Sequence, residues 1–323
     1  MHIGLGELLS LGSAMAWAVG VVLYRQLGAH LPPVTLNVLK NGLVLVAVGL
    51  LVAAVHGLAP PAMDTREVAI VLASGILGIA VADTLYFHAL NRLGAGRMGI
   101  VGNAYSPCVL ILGMLVLGER LGALQWLGFL LVSVGVAVIA LPGRTRTRTV
   151  HALVAEDLAD VAAGASVSNP SRPSRPATGG RGGAGAVFGG IAAVALMAVA
   201  IVMVKPVLET QSVLWVTWLR LLGGVGGLAL VMTLRGQAAR LRPPPGVPWR
   251  RLVVAALVGQ CLSMLLWLGG FKYAKAAVAA VLNETSSVFI LLLAAVWLGE
   301  RLTRRALAGI VLTLAGVVFM LMG

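Results

Sequence analysis

Long apolar runs separated by short polar breaks make up most of the chain. A helix that spans a bilayer needs roughly 20 mostly apolar residues, with a range of about 17–25. Ten stretches meet that need, at about 6–24, 34–56, 68–90, 98–117, 123–141, 186–206, 213–234, 252–271, 276–298 and 306–322. Lipid offers the backbone no hydrogen-bond partner, so each run is expected to be a helix and none an open strand. The pattern predicts an all-α integral membrane protein with ten transmembrane helices. The first run does not read as a cleavable leader, because MHIGLGE has no Lys or Arg and further spans follow at once.

Between the fifth and sixth runs the composition changes. Residues 143–185 are rich in Arg, Ser, Pro and Gly and are expected to form a flexible linker. Inside it, ALVAEDLADVAA has the pattern of a short amphipathic helix. TGGRGGAGA shares only its glycines with a phosphate loop, since no GK[ST] follows and no strand precedes it.

The stretch LGER occurs at 117–120 and again at 298–301, a shift of 181. The same shift puts Gly128 on Gly309, Gly135 on Gly316, Gly78 on Gly259 and Asn103 on Glu284. A shift of 180 puts Lys40 on Arg220 and Arg25 on Lys205. Residues 1–142 and 186–323 therefore read as two copies of a five-helix unit. Between the two LGER turns the chain crosses the membrane five times. Five is odd, so the turns are expected on opposite faces and the repeat is inverted. Inverted repeats are a recurring plan for secondary transporters, with the substrate site near the bilayer midplane. In each LGER the Gly suits a left-handed helix end. The Glu is expected near the start of the following helix, where the dipole favours negative charge.

Composition strengthens the membrane reading. Of the 323 residues, 59% are hydrophobic and 11% charged, against about 25% charged in an ordinary soluble chain. The mean hydropathy is +0.98. A formal net charge of +13 raises nucleic acid as a partner. The charges sit between apolar runs, however, so they read as orientation signals and no nucleic-acid partner is expected. Loops after odd-numbered spans carry seventeen Lys and Arg, and loops after even-numbered spans five. That bias puts the linker in the cytoplasm and both termini outside. Cys108 and Cys261 lie inside apolar runs and read as small packing residues. With no CxxC and no ligand spacing among the histidines, neither metal nor cofactor is expected.

The stretch DTLYFHALNRLGAGRMGIVGNAYSPCVLILGMLVLGERLGALQWLGFLLVSVGVAVIAL, at 83–141, resembles the EamA domain of the drug/metabolite transporter superfamily. FKYAKAAVAAVLNETSSVFILLLAAVWLGERLTRRALAGIVLTLAGVVFMLM in the second half resembles it again. The shared marks are a Tyr and an Ala-Leu late in span three, a Ser-Pro in span four, the GER turn and a Gly-rich closing helix. The resemblance implies ten helices and an export-type secondary carrier for small organic solutes, with a cavity between the halves. It also implies cytoplasmic termini, opposite to the charge bias, although both put the two termini on one side of the cell membrane. The copies differ at Ser106-Pro107 against Ser287-Val288, and at Asn103 against Glu284.

An ionisable residue at the centre of a span costs about 2.5–3.5 kcal/mol, so such residues usually face a cavity or a partner. Glu284 lies in the most polar patch of any span, beside Asn283, Thr285, Ser286 and Ser287. It is a candidate to bind a cationic group or carry a proton, or to fix packing as a paired carboxylate. Asp83 has the same choice of roles, with Lys40 as a possible structural partner. Tyr86 shares its helix face at i+3, whereas His88 does not. Lys40 and Arg220 hold equivalent positions and could snorkel to an interface or meet a carboxylate or an anionic solute. Trp17 and Trp267, deep in their spans, could line a cavity, with Tyr105 and Asn103 as weaker candidates. Asn103 and Ser287 complete the substrate-binding or proton-coupling set, and no catalytic or metal-binding residue is expected. The glycine stripes suit close helix packing.

These readings favour a transporter, not an enzyme: an exporter of small metabolites, amino acids or drugs, working by alternating access, with protons as a possible coupling ion. A membrane scaffold with a carrier-like fold and a lipid-modifying enzyme are the alternatives. The latter lacks an HExxH, a nucleophile elbow or an acidic metal cluster.

Overall fold

Helix caps decide where several of the apolar runs begin. In this computed structural model the described residues are 4–28, 33–57, 62–83, 85, 86, 89, 101–140, 182–234, 236, 243, 245–298 and 302–323. They are almost all helical, with no strand among them. Helix α1 spans Leu5–Gly28 and α2 Pro33–His56. Helix α3 runs from Thr65 to Gly75 and continues as a π-helical turn, Ile76–Ala82. It starts three residues before the predicted run because Asp64 and Glu67 form a capping box. Helices α4 (Tyr105–Val116) and α5 (Ala123–Ala140) close the first half. Helix α6, Gly182–Thr210, begins inside the stretch expected as linker. Helix α7 is Val213–Leu234. Helix α8 consists of Trp249–Ala255, a π-helical turn at Ala256–Leu262, and Ser263–Tyr273. Helix α9 has two segments, Ala276–Asn283 and Ser286–Leu298. Helix α10, Arg304–Met322, starts where Thr303 accepts a hydrogen bond from the Ala306 N–H at 3.1 Å. The expected amphipathic helix in the linker lies outside the described residues, as does the second LGER from Gly299 onward.

Each predicted run overlaps one of these helices. Seven are long and apolar enough to cross a membrane, and Leu5–Val21, Tyr105–Val116 and Ala123–Ile139 are shorter apolar helices. The outer surface is as apolar as a core: Leu115, Val296 and Leu234 are each 78% exposed. Water would oppose so much exposed hydrocarbon, whereas lipid accepts it.

Packing crosses between the halves. Helix α1 lies on α8 and α9, while α6 lies on α3 and α4. Helix α2 contacts α7, α4 contacts α9, and α5 packs along α10. The α5–α10 seam is built from the glycine stripes. A Cβ at Gly128 would lie 2.7 Å from the Gly316 carbonyl oxygen, and one at Gly135 would lie 2.8 Å from that of Gly309. Those pairings run antiparallel: each glycine of one copy meets the counterpart of the other glycine, Gly128 with Gly316 and Gly135 with Gly309. Only glycine permits an approach this close.

The first LGER turn departs from expectation in one respect. Gly118 has φ +67° and ends α4 in the left-handed region, as expected. Glu119 does not face α5, the next helix. Its carboxylate accepts the N–H groups of Ala276 and Ala277, at 2.6 and 3.1 Å, at the start of α9. The dipole argument holds, but the helix it serves is in the other half. Lys275 at the N-cap makes no side-chain capping bond. The Lys275 ammonium donates back to the Arg120 carbonyl at 2.7 Å.

Candidate functional site

Both halves break a helix at the same register. In the first, Asn103 and Ala104 form a turn before α4, and in the second Glu284 and Thr285 separate the segments of α9. The local bonding tightens from four-residue to three-residue spacing: Ala104 N–H donates to Val101, Glu284 N–H to Val281 and Thr285 N–H to Leu282. Pro107 sits in the first turn of α4, where its missing N–H is best tolerated. Its counterpart Val288 donates an N–H to Thr285 instead, at 2.9 Å.

These breaks bring polar groups together across the halves. The Ser106 hydroxyl donates to Glu284 Oε1 at 2.6 Å. Ser106 is the equivalent of Ser287, so the bond links one copy's serine to the other copy's carboxylate. Glu284 is half-buried, and Ser287 is buried beside it. Asn283 spends its amide on the Ala279 carbonyl of its own helix, at 2.8 Å.

The charged residues of α2, α3 and α7 complete the cluster. Lys40 and Arg220 each lie seven residues into their helices, roughly 10 Å along the axis. Both meet polar or aromatic groups inside the helix bundle. The Lys40 ammonium donates to Gln260 Oε1 at 3.4 Å and stands 5.8 Å from the Trp17 ring centre. The Arg220 guanidinium stands 5.1 Å from the Trp267 ring centre. Both distances suit a cation–π contact. Asp83 follows the π-helical turn of α3 and lies within electrostatic reach of Lys40 and Arg220. Tyr86 is within reach of Asp83 and Glu284, and Tyr105 of Arg220 and Glu284. A Cβ at Gly102 would sit 3.7 Å from the Tyr86 hydroxyl, which places Tyr86 beside the break before α4.

Of the residues expected from sequence, Glu284, Asp83, Lys40, Arg220, Trp17, Trp267 and Tyr86 join one network. Asn103 sits at the break itself, and Asn283 is turned into its own helix. His88 lies outside the described residues. Tyr105, a weaker cavity candidate from sequence, joins it too, and two members were not expected: Ser106 and Gln260. The repeat carried the signal for Ser106, because Ser287 was already a candidate.

The Lys205 ammonium is spent on packing contacts instead. Lys205 is buried, and its ammonium donates to Glu209 at 2.6 Å and to the carbonyls of Phe271 and Ala274 at 2.9 and 3.0 Å. It ties α6 to the C-terminal end of α8, where a cation is favoured. A groove of about 630 Å³ opens between α3, α4 and α6, lined by Ile70, Leu112, Val202 and Pro206. It includes none of the clustered polar residues. Among the described residues no group of three or more His, Cys, Asp or Glu could hold a metal ion.

A multi-pass helical membrane protein with paired helix breaks and a charged cluster between its halves belongs to the architecture of membrane transporters. The sequence profile of the EamA-like transporter family matches residues 4–141 and 184–322, so the chain belongs to that family. It matches no curated protein. One solved crystal structure superimposes with a TM-score of 0.71 over 97% of this chain and 95% of that chain, at 17% identity, which establishes a shared fold.

Proposed function

We infer that the protein is a secondary carrier that exports small organic solutes across the cell membrane by alternating access, with ten spans arranged as two inverted five-helix repeats. The domains in this reading are 1–142 and 186–323, joined by the linker 143–185. One observation carries the reading: Ser106 and Glu284, on the broken helices of opposite halves, share a 2.6 Å hydrogen bond. Discontinuous helices at a repeat interface are where transporters bind solutes and coupling ions. Equivalent helices α5 and α10 meeting antiparallel is the arrangement expected of a two-fold axis in the membrane plane. Glu284 or Asp83 carries the coupling proton or meets the solute, and Lys40, Arg220, Trp17, Trp267, Tyr86, Asn103, Asn283 and Ser287 line or support the path.

Substrate-dependent counterflow in proteoliposomes tests this reading. Uptake of labelled solute against its own preloaded pool supports a carrier. Solute binding without counterflow would leave a binding protein with a carrier's fold.

A further inference from the structure

Arg220 is the buried cation whose hydrogen-bonding capacity the protein leaves unspent. Its side chain is in a residue only 4% exposed, and neither Nε nor Nη1 has a hydrogen-bond partner. The Tyr105 hydroxyl is likewise buried without a partner, and the two residues lie within electrostatic reach of each other. An unsatisfied buried donor costs about 1–3 kcal/mol, and more when charged. Among the described residues no other buried side-chain nitrogen or oxygen is left this way: Lys205 is fully bonded to protein, and Glu284 has Ser106. The fold also protects this arrangement. A Cβ at Gly78 would lie 3.1 Å from Arg220 Nη2, so glycine keeps room for the guanidinium. The Trp267 ring sits 5.1 Å from it.

We propose that Arg220 and Tyr105 together bind a carboxylate group of the transported solute. This rests on the carrier reading and names its substrate class. The unspent donors call for an acceptor, and the guanidinium calls for negative charge. Asp83 and Glu284 lie close to the pair, so a singly charged anion fits where a dianion such as phosphate meets repulsion from both. Tyr105 also stands within electrostatic reach of Glu284, so a carboxylate held by the pair has the Glu284 carboxylate as a neighbour.

The test uses the full chain in lipid nanodiscs, with tryptophan fluorescence as readout because Trp267 underlies Arg220. The probes are acetate, benzoate and L-phenylalanine, each against its amide: acetamide, benzamide and L-phenylalaninamide. At least one acid is expected to give a saturable change, with its amide weaker by roughly tenfold or more. Arg220→Gln is expected to abolish that response, and Tyr105→Phe to weaken it about tenfold, as for one lost hydrogen bond to a charged group. Tyr105→Phe removes a single oxygen, so it remains informative if Arg220→Gln does not fold. Equal responses to acid and amide, unchanged affinity in the folded variants, or no saturable response to any acid would overturn the proposal. Counterflow separates this from the carrier reading: flux of solutes that lack a carboxylate, without acid binding, sinks the proposal alone. Acid binding without flux sinks the carrier reading and leaves the site.

Discussion

Ser106 on α4 donates to Glu284 on α9 at 2.6 Å, joining residues 178 positions apart across the two halves. A hydrogen bond to a charged group contributes about 1.5–3 kcal/mol. If the carboxylate must change partners during transport, this bond helps define one of its states. Ser106→Ala is expected to slow flux by roughly tenfold while leaving the folded fraction in detergent close to that of the wild type. Flux measured beside size-exclusion profiles checks both parts.

Glu119 caps α9 from the other half through two N–H groups. Glu119→Ala is expected to cost about 1–3 kcal/mol, read as a drop of a few degrees in the apparent melting temperature. Glu119→Gln keeps one acceptor and recovers part of that loss. Neither change touches the cluster, so the solute preference of the surviving protein is expected to be unchanged.

The α5–α10 seam predicts which glycines matter. A Cβ at Gly135 would lie 2.7 Å from the Thr313 N and 2.8 Å from the Gly309 carbonyl oxygen. Gly135→Ala is expected to destabilise by about 1–3 kcal/mol through overpacking. Gly189 in α6 has open space within 4 Å, and Gly189→Ala is expected to be neutral or to gain about 0.5–1 kcal/mol from helix propensity. Thermal unfolding of the two variants side by side distinguishes packing glycines from incidental ones.

The proposed ten crossings would put both termini on one side of the membrane. Reporter fusions at Met1 and Gly323 are therefore expected to agree, whichever side that is. Opposite sides would remove one crossing from the count.

Much of this was legible in the sequence because its two strongest signals are physical. A run long enough to span lipid can scarcely be anything but a helix, and a charge within it stands out by its cost. That is why Lys40, Asp83, Arg220 and Glu284 could be picked out. Ser106 and Gln260 escaped because neutral polar side chains sit in spans at little cost and give no such contrast. The start of α3 at Thr65 was missed because apolar periodicity does not register a polar cap. The destination of Glu119 was hidden for another reason: its partners lie 157 and 158 residues away, and local dipole reasoning reaches only the adjacent helix.

The most direct test of the central claim is proton-driven efflux from proteoliposomes containing wild type or Glu284→Gln. Gln keeps the shape and an acceptor for Ser106 but cannot carry a proton. Wild-type flux is predicted to follow an imposed pH gradient, and the Gln variant to lose that dependence together with roughly tenfold or more of the rate. Wild-type flux with wild-type pH dependence in Glu284→Gln would contradict a transport role for the carboxylate between the halves.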